Sequence, residues 1–310
     1  MNMIREDFIF GASGENKLHS ISWIPEGDVR AVLQITHGMT EHIGRYDRLA
    51  EKLTEQGIVV CGFDLRGHGL NESELNIATL GKDGWEASLT DMRIIHGIFK
   101  RKFQNIPYFM LGFSLGSFLL REYISRHPKD IDGAIIAGTG CQPSLILDII
   151  MLIVSTQITK NGFDNTTDLV RKLSFETYNN KFKPTRTGFD WLCSDEAQLD
   201  EYLNDDACRR DISSGLFHQL LSSMKRTGQQ HACIGWNRSM PVLLMSGKDD
   251  PVGDMGKGVV KILHNMEKRG FCDVELKLYE KARHDIFHEY ANGMADRVIN
   301  DICRWIGEKI

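Results

Sequence analysis

The chain has 310 residues, of which 42% are hydrophobic and 25% are charged, a balance typical of an ordinary globular protein. This length allows one large core with an insertion, or two modest domains. The formal net charge of −5 and the scattered lysines and arginines leave no basic footprint, so we expect no nucleic-acid partner.

The seven cysteines are widely spaced and form no C-x-x-C pair, which argues against a zinc knuckle or a disulfide framework. The first residues include early acids and no apolar run, so we expect no signal peptide. The longest apolar stretch, residues 145–154, is too short to span a bilayer and is interrupted by Asp148. We therefore predict a cytoplasmic protein with reduced thiols.

Short β-branched runs alternate with longer amphipathic ones in the first half of the chain. Strands are predicted at 21–24, 29–36, 58–63, 108–113 and 133–137, and helices at 46–56, 86–102 and 115–126. This alternation is typical of βαβ units. We therefore predict an α/β fold with a mostly parallel, doubly wound sheet that is covered on both faces.

The alternation stops after residue 137 and returns near residue 241. The second part of the core has predicted strands at 242–246 and 274–279, and helices at 258–268 and 289–305. The mostly helical stretch between the two parts predicts a cap, or lid, over residues 142–237, inserted between core segments 1–141 and 238–310. Ligands of open α/β sheets bind at the carboxyl edge of the strands, and we expect the cap to cover that edge.

The apolar stretch 145–154 lies in this insertion and is hydrophobic on nearly all sides. The simpler interpretation is a helix sandwiched between core and cap. The alternative is a helix that lines an acyl tunnel or touches a bilayer surface. Because burying each methylene contributes about 0.8 kcal/mol, such a tunnel would favour long acyl chains.

Residues 112–116 (GFSLG) lie where a predicted strand meets a predicted helix. A serine in a strained strand-to-helix turn exposes its hydroxyl only if its neighbours leave room, which the two glycines do. Ser114 is therefore a candidate nucleophile. Without partners it would be an ordinary helix N-cap.

A serine nucleophile needs a base within hydrogen-bond reach, and the base needs an acid that orients it. Asp249 and Asp250 follow the predicted strand 242–246, and His284 follows the strand 274–279. Each alone is typical of a turn or a surface loop. Their occurrence together, in the order Ser, Asp, His, favours a catalytic triad on an α/β-hydrolase frame.

The developing charge on a substrate oxygen needs donors that already point at it. We expect one from the backbone N–H of Leu115, at the start of its helix, and another from the N–H of Met39 in the loop after strand 29–36. Gly38 permits the sharp turn that this loop requires. His37 is expected to be a structural hydrogen-bonding residue.

Several of these motifs together resemble one family. Residues 37–46 (HGMTEHIGRY) resemble the oxyanion loop of monoacylglycerol lipases and related lysophospholipase-like serine hydrolases, of the serine aminopeptidase S33 type. Residues 64–69 (DLRGHG), 112–116, 247–252 and 283–284 are similar to further motifs of that family. The resemblance implies an α/β-hydrolase fold, Ser114 as nucleophile, His284 as base and a cap over the site. It also assigns the acid to Asp250 rather than Asp249.

Two positions depart from the family pattern. Thr40 stands where the family usually has glycine or alanine, and residues 70–71 are Leu-Asn where Arg-Ser is common. Both lie near the expected site, so substrate shape does not follow from the resemblance.

We predict a serine carboxylic-ester hydrolase that acts on monoacylglycerol or lysophospholipid-like acyl esters through an acyl-enzyme, with no cofactor and no metal. Its expected partners are a small acyl ester or lipid and, transiently, a membrane surface through the cap. One alternative is an aminopeptidase, in which an acid of the cap, such as Asp195, Glu196 or Asp200, would hold the substrate's amine. Another is a non-catalytic binding protein.

Two rival chemistries receive less support from the sequence. Residues 284–288 (HDIFH) imitate a zinc-binding H-E-x-x-H helix, but an aspartate replaces the glutamate and no third ligand is evident. Cys141 lacks an elbow of the kind that surrounds Ser114, so we interpret it as a small buried residue.

Overall fold

The computed structural model describes residues 3–71, 77–208, 211–229 and 232–310. Its strands are β1 (Met3–Gly11), β2 (Lys17–Pro25), β3 (Ala31–Thr36), β4 (Ile58–Phe63), β5 (Ile77–Ala78), β6 (Tyr108–Phe113), β7 (Gly133–Ala137), β8 (Asp211–Ile212), β9 (Val242–Gly247) and β10 (Val274–Tyr279). Its α-helices are α1 (Asp47–Thr54), α2 (Gly84–Lys102), α3 (Leu115–Arg126), α4 (Ser144–Asn161), α5 (Asp168–Arg171), α6 (Thr177–Asn179), α7 (Glu196–Asn204), α8 (Ser214–Gly228), α9 (Lys257–Glu267) and α10 (Met294–Gly307).

Eight strands form one sheet in the order β1-β2-β4-β3-β6-β7-β9-β10. The pairs from β4 to β10 are parallel, while β2 runs antiparallel to both β1 and β4. The predicted α/β fold with a mostly parallel, doubly wound sheet is therefore confirmed. β5 and β8 form a separate two-stranded sheet, which joins the region after β4 to the segment between β7 and β9.

The strands divide the hydrophobic core into two layers because their side chains alternate between the faces of the sheet. On one face, α1 and α10 pack against the sheet through residues such as Leu53, Ile302 and Trp305. On the other face, α2, α3 and α9 do so through residues such as Met92 and Phe118. Burial on both faces explains why the central strands are almost continuous apolar runs.

The direction in which strands are added reverses at β3, which pairs with β4 on one side and with β6 on the other. A crevice opens beyond the carboxyl ends of two strands at such a reversal, and it is the usual binding place of open α/β sheets. The loops that follow β3 and β6 meet there. These loops contain the predicted oxyanion loop and Ser114.

Helices α4 to α8 all lie between β7 and β9, where the sequence predicts mostly helical structure. α4 packs along α8, and α8 packs against α3 of the core. α4 buries only Leu147 and Val154, and it leaves Leu145, Ile149 and Leu152 exposed by 72%, 54% and 70%. The interpretation of this stretch as a helix sandwiched between core and cap is therefore wrong.

The prediction that no segment is long enough to span a bilayer also needs correction. α4 extends well past residue 154, and its 18 residues have a mean hydropathy of 1.3. Among the described residues it is the one helix that meets the length and composition of a membrane span. Residues 155–161 account for the added length, because they continue the helix although all of them except Ile158 are polar.

Candidate active site

Ser114 occupies a strained turn between β6 and α3. Its backbone has φ 50° and ψ −117°, a conformation that residues other than glycine rarely adopt. Its N–H donates to the carbonyl of Ala137, and its own carbonyl accepts from the N–H of Ser117 at the start of α3. The side chain does not cap the helix. The hydroxyl is therefore available to the crevice.

The two glycines of the GFSLG motif are required sterically, as the sequence suggested. A Cβ on Gly112 would collide with the backbone of Gly116, and a Cβ on Gly116 would collide with the carbonyl of Thr36 in the neighbouring strand. The start of α3 therefore approaches β3 as closely as backbone allows. This contact brings the loops after β3 and β6 together.

His284 joins Ser114 to Asp250 by two hydrogen bonds. The Oγ of Ser114 lies 2.9 Å from Nε2 of His284, and Nδ1 of His284 lies 2.9 Å from Oδ1 of Asp250. Asp250 is fully buried and also accepts from the N–H of Val252 at 2.8 Å. Asp249, its half-buried neighbour, is not part of this chain of bonds. The three predicted side chains, distant in sequence, meet in the described structure.

The imidazole of His284 lies between two aromatic rings. The ring of Phe113 lies 5.0 Å from it and the ring of Trp191 lies 5.1 Å from it, measured between centroids. The backbone N–H groups of His284 and Asp285 donate to the carbonyls of Trp191 and Leu192. Residues 191–192 of the inserted helical segment therefore help to hold the histidine loop in place.

His37 fixes the peptide that carries the N–H of Met39. Nε2 of His37 accepts from the N–H of Leu65 at 2.8 Å, so Nδ1 carries the proton and donates to the carbonyl of Gly38 at 2.7 Å. Burial and the nearby His68 lower the pKa of His37 to about 3, so the ring stays neutral. Because C=O and N–H point in opposite directions in a trans peptide, the N–H of Met39 points away from His37.

A buried ionic network supports the same loop. Glu41 accepts from the N–H of Gly38 and from the hydroxyl of Tyr46, and it pairs with Arg45 at 2.8 Å. Arg45 also pairs with Asp285 at 2.9 Å. Burial alone would raise the pKa of Asp285, but His288 and Arg45 outweigh it and hold that pKa below its usual range. The network thus connects the oxyanion loop to the loop of His284.

Met39 and Leu115, which the sequence suggests as oxyanion donors, both lie beside Ser114. Leu115 is fully buried at the first position of α3, and Met39 lines the cavity at Ser114. Neither backbone N–H donates to an acceptor among the residues that the structure describes. Two N–H groups beside one nucleophile are the arrangement that a tetrahedral oxyanion requires.

An apolar cavity of about 220 Å³ opens at Ser114. Its walls come mainly from the inserted helical segment: α4, α8 and residues 173–178, together with Trp191. Polar groups at its lining include Lys181 and Asp254. A predominantly apolar cavity with few polar groups suits a ligand with a hydrocarbon chain.

A second, much smaller cavity of about 20 Å³ also borders Ser114. Its lining includes the polar side chains of Thr40, Glu41, Arg45 and Tyr202. Both cavities share Met39 and Ser114. The nucleophile therefore borders both cavities.

The zinc alternative at residues 284–288 does not form. His284 bonds to Asp250 and Ser114, whereas Nδ1 of His288 bonds to Asp285 and its Nε2 to the carbonyl of Arg45. This segment is not helical. Cys141 is buried, with its thiol bonded to the carbonyl of Gly228. Both observations agree with the sequence interpretation.

Ligand atoms of His42, Asp205 and Cys208 lie within 4.8 Å of one another, close enough to hold a metal ion. The hydrogen bonds argue against that role. Nδ1 of His42 accepts from the N–H of Gly44 at 3.2 Å, so Nε2 carries the proton and donates to Asp205 at 2.8 Å. A metal on Nε2 would displace that proton to Nδ1, where it would face the N–H of Gly44.

The acids proposed for an aminopeptidase have other partners. Asp195 caps α7 and also accepts from the N–H of Ala291, and Asp200 pairs with Arg186 at 2.7 Å. Glu196 is exposed in the first turn of α7. None of the three lines the apolar cavity, whereas Asp254 does.

The sequence profile of the serine aminopeptidase S33 family (Hydrolase_4) matches residues 27–291. A monoglyceride lipase of Rattus norvegicus is 25% identical over 292 residues, which cover 93% of this chain and 86% of that protein. An abhydrolase domain-containing protein of Dictyostelium discoideum is 24% identical over 96% of this chain, which spans 28% of that longer protein.

Solved structures show the same fold. A thermostable carboxyl esterase of Bacillus coagulans superposes with a TM-score of 0.88 at 23% identity, and the match covers 99% of each chain. The similarity therefore includes the inserted helices as well as the sheet.

Proposed function

We propose, from the premise that this chain belongs to the serine aminopeptidase S33 family, that it hydrolyses monoacylglycerol or lysophospholipid-like acyl esters. The chain is thus a hydrolase, and the resemblance noted in its motifs is confirmed. The observation that carries the proposal is the unbroken hydrogen-bond chain from Ser114 through His284 to Asp250. Its Ser114 end lines an apolar cavity of about 220 Å³.

In the proposed reaction, the Oγ of Ser114 attacks the ester carbonyl while Nε2 of His284 takes its proton. Asp250 holds the tautomer in which Nδ1 carries a proton, and it stabilises the imidazolium that forms. His284 then protonates the alcohol as it departs, and the acyl group stays bound to Ser114 as an acyl-enzyme. Water attacks the acyl-enzyme through the same base and releases the acid.

The backbone N–H groups of Met39 and Leu115 are proposed to bind the oxyanion of both tetrahedral intermediates. Their support is their position beside Ser114 and the absence of another acceptor among the described residues. Removing one such donor from a serine hydrolase typically lowers kcat by about 100-fold to 1,000-fold. The proposed mechanism uses no cofactor and no metal.

The acyl chain is proposed to occupy the apolar cavity between α4 and α8. Each methylene that enters contributes about 0.8 kcal/mol, so longer chains are expected to raise kcat/KM until the cavity is full. Relatives named monoglyceride lipases agree with this class of substrate. The headgroup stays unassigned.

Residues 142–237 are proposed to act as a helical cap between core segments 1–141 and 238–310. Helices α4 and α8 supply walls of the cavity, and Trp191 contacts the ring of His284. The exposed face of α4 is proposed to contact a membrane surface transiently, which would place the cavity near lipid substrates. A cytoplasmic location is proposed because all seven cysteines are free thiols and five of them are buried.

Peptide hydrolysis is the second candidate, favoured by the family's description as serine aminopeptidases and by one acid in the cavity lining, Asp254. An aminopeptidase would use such an acid to hold the free amine of its substrate. In that case Asp254→Asn would abolish turnover of an aminoacyl anilide. For an ester hydrolase, the same substitution leaves turnover of uncharged acyl esters within about threefold.

The deciding experiment compares kcat/KM for 2-monooleoylglycerol, a p-nitrophenyl acyl ester and an aminoacyl p-nitroanilide. We expect the two esters to be hydrolysed and the anilide to be nearly inert. Ser114→Ala should lower ester turnover by at least about 10,000-fold, while Ser125→Ala on the same helix should leave it unchanged. A preference for the anilide would defeat the lipid proposal, and failure of a fluorophosphonate to label Ser114 would defeat the mechanism.

A further inference from the structure

Thr40 adopts an unusual backbone conformation next to the proposed oxyanion donor Met39. Its φ is 59°, in the left-handed region that β-branched residues rarely enter. This is also a position at which the sequence departs from the small residue of its family. A strained threonine persists only where its surroundings hold it. The contacts of its side chain identify what holds it.

The hydroxyl of Thr40 lies between two oxygen atoms. Oγ1 lies 2.6 Å from the carbonyl oxygen of Met39 and 2.9 Å from the hydroxyl of Tyr202. A threonine hydroxyl has one proton, and a carbonyl can only accept. Thr40 therefore donates to Met39, and Tyr202 donates to Thr40. Burial raises the pKa of Tyr202, so the phenol keeps the proton that this bond needs.

The relay from Tyr202 completes the restraint of three consecutive peptides in the oxyanion loop. Glu41 accepts from the N–H of Gly38, and His37 donates to the carbonyl of Gly38. Thr40 holds the carbonyl of Met39. The peptide that presents the N–H of Met39 is thus fixed directly, and the peptide on each side of it is fixed as well.

Tyr202 belongs to α7, in the inserted helical segment, and it is held firmly there. The guanidinium of Arg45 lies 5.2 Å from its ring centroid, and Phe189 packs against it with 5.8 Å between ring centroids. A second link between the same two elements joins His42 to Asp205 at 2.8 Å. The loop after β3 and helix α7 therefore form one connected unit.

We propose that Tyr202 is a positioning residue for the oxyanion hole and acts through Thr40, so that docking of helix α7 sets the catalytic geometry of Met39. The inference rests on the proposed serine-hydrolase function. It assigns the inserted helical segment a part in the chemical step that is separate from binding the acyl chain. Neither side chain touches the reacting atoms.

The test measures kcat and KM for a short p-nitrophenyl ester in Thr40→Val, Tyr202→Phe and the double variant. Each single variant breaks the same relay, so each should lower kcat by about tenfold, with KM within about twofold of wild type. The double variant should lose no more than about tenfold, because the second substitution removes nothing further. Thr40→Ser keeps the hydroxyl and should retain at least about half of kcat.

Tyr123→Phe is the matched control, since it removes a tyrosine hydroxyl bonded to Asp130 at the far end of α3. It should leave kcat unchanged. Thermal unfolding of every variant separates loss of fold from loss of alignment. If Thr40→Val does not fold, the two single variants Tyr202→Phe and Thr40→Ser still test the inference.

Three results would overturn the inference: wild-type kcat in Tyr202→Phe, a loss near 100-fold in the double variant, or a Thr40→Ser as impaired as Thr40→Val. A wild-type enzyme no faster than Ser114→Ala would instead defeat the hydrolase function on which the inference depends.

Discussion

The tautomer of His37 determines the orientation of one peptide in the loop after β3, which carries the proposed oxyanion donor Met39. His37 contacts no substrate cavity, yet its single proton on Nδ1 orients the peptide between Gly38 and Met39. We expect His37→Leu to lower kcat by about 10-fold to 100-fold, because the N–H of Met39 loses its alignment. The free energy of unfolding should fall by about 1–3 kcal/mol, since the buried N–H of Leu65 loses its acceptor.

Ester kinetics and urea unfolding measure these two effects separately. His37 is expected to stay neutral at any working pH. Its loss should therefore not alter the shape of the pH–rate profile between about pH 5 and about pH 9. A variant with wild-type kcat would show that the loop holds its conformation without this histidine.

His19 gives a second effect at the scale of single residues, on stability rather than on activity. Nδ1 of His19 lies 2.9 Å from Asp64 and Nε2 lies 3.0 Å from Asp7. Its hydrogen bond to Asp64 is the main reason that the pKa of His19 is raised. Burial would raise the pKa of Asp64, but the hydrogen bonds from His19 and from two backbone N–H groups lower it instead.

A raised histidine pKa stabilises the fold below the unfolded value near 6.5, and this stabilisation is lost as pH rises through the folded value. The free energy of unfolding of wild type should therefore fall between about pH 6 and about pH 8.5 by more than that of His19→Gln. The difference should stay below about 1 kcal/mol, because solvent screens the pair with Asp7. Urea unfolding at the two pH values measures this fall for each protein. An equal fall in wild type and in His19→Gln would contradict the expectation.

The residues of the proposed triad could be predicted from sequence because each one lies in the loop that follows a recognisable strand. Parallel strands bring their carboxyl ends to one edge, so Ser114, Asp250 and His284 had to be neighbours once the alternation was recognised. Trp191 and Tyr202 could not be found in this way. Their contacts with the site depend on how the inserted helices pack, and no periodicity or motif in 142–237 encodes that packing.

Elements with a clear pattern of apolar residues were predicted best. Strands β4, β6, β7 and β10 and helix α3 have the residues that the sequence predicted. Strand β1 was missed because it lies at the sheet edge and its charged residues are mostly exposed. The last helix begins at Met294 rather than residue 289, because Glu289 faces inward and bonds to Ser194 and to the N–H of Arg283.

The inserted helices are joined to the core by a buried cation on α3. Arg121 donates to the side chain of Thr139 and to the carbonyls of Gly140 and Thr227, the last of these near the end of α8. Burial lowers the pKa of Arg121, and backbone carbonyls serve as its acceptors in place of a carboxylate. The helix that follows Ser114 is thus fixed to a helix that lines the apolar cavity. Core and insertion therefore form one structural unit at the site.

The whole molecule combines a net negative charge with an exposed apolar face on α4, and this combination makes the proposed membrane contact testable. Leu145, Ile149 and Leu152 recur at the spacing of one helical face, next to the face of α4 that lines the cavity. With a formal charge of −5, the chain has no general electrostatic attraction to anionic lipids. Adsorption should therefore depend on apolar burial.

Because salt screens charges but leaves apolar burial intact, binding to zwitterionic phosphatidylcholine vesicles should persist between about 0.05 and 0.5 M NaCl. Leu145→Ser combined with Leu152→Ser should weaken that binding at least about tenfold, since each buried methylene contributes about 0.8 kcal/mol. Turnover of a soluble short-chain ester should not change, because neither leucine lines the cavity.

Ile9→Ser is the matched control, since Ile9 is an equally exposed apolar residue, at 68%, on the edge strand β1. It should bind vesicles like wild type if α4 is the contact surface. Cosedimentation measures all three proteins under the same conditions. Binding that disappears at high salt would mean that charge drives the contact, and equal loss in Ile9→Ser would mean that general surface hydrophobicity, rather than α4, brings the enzyme to lipid.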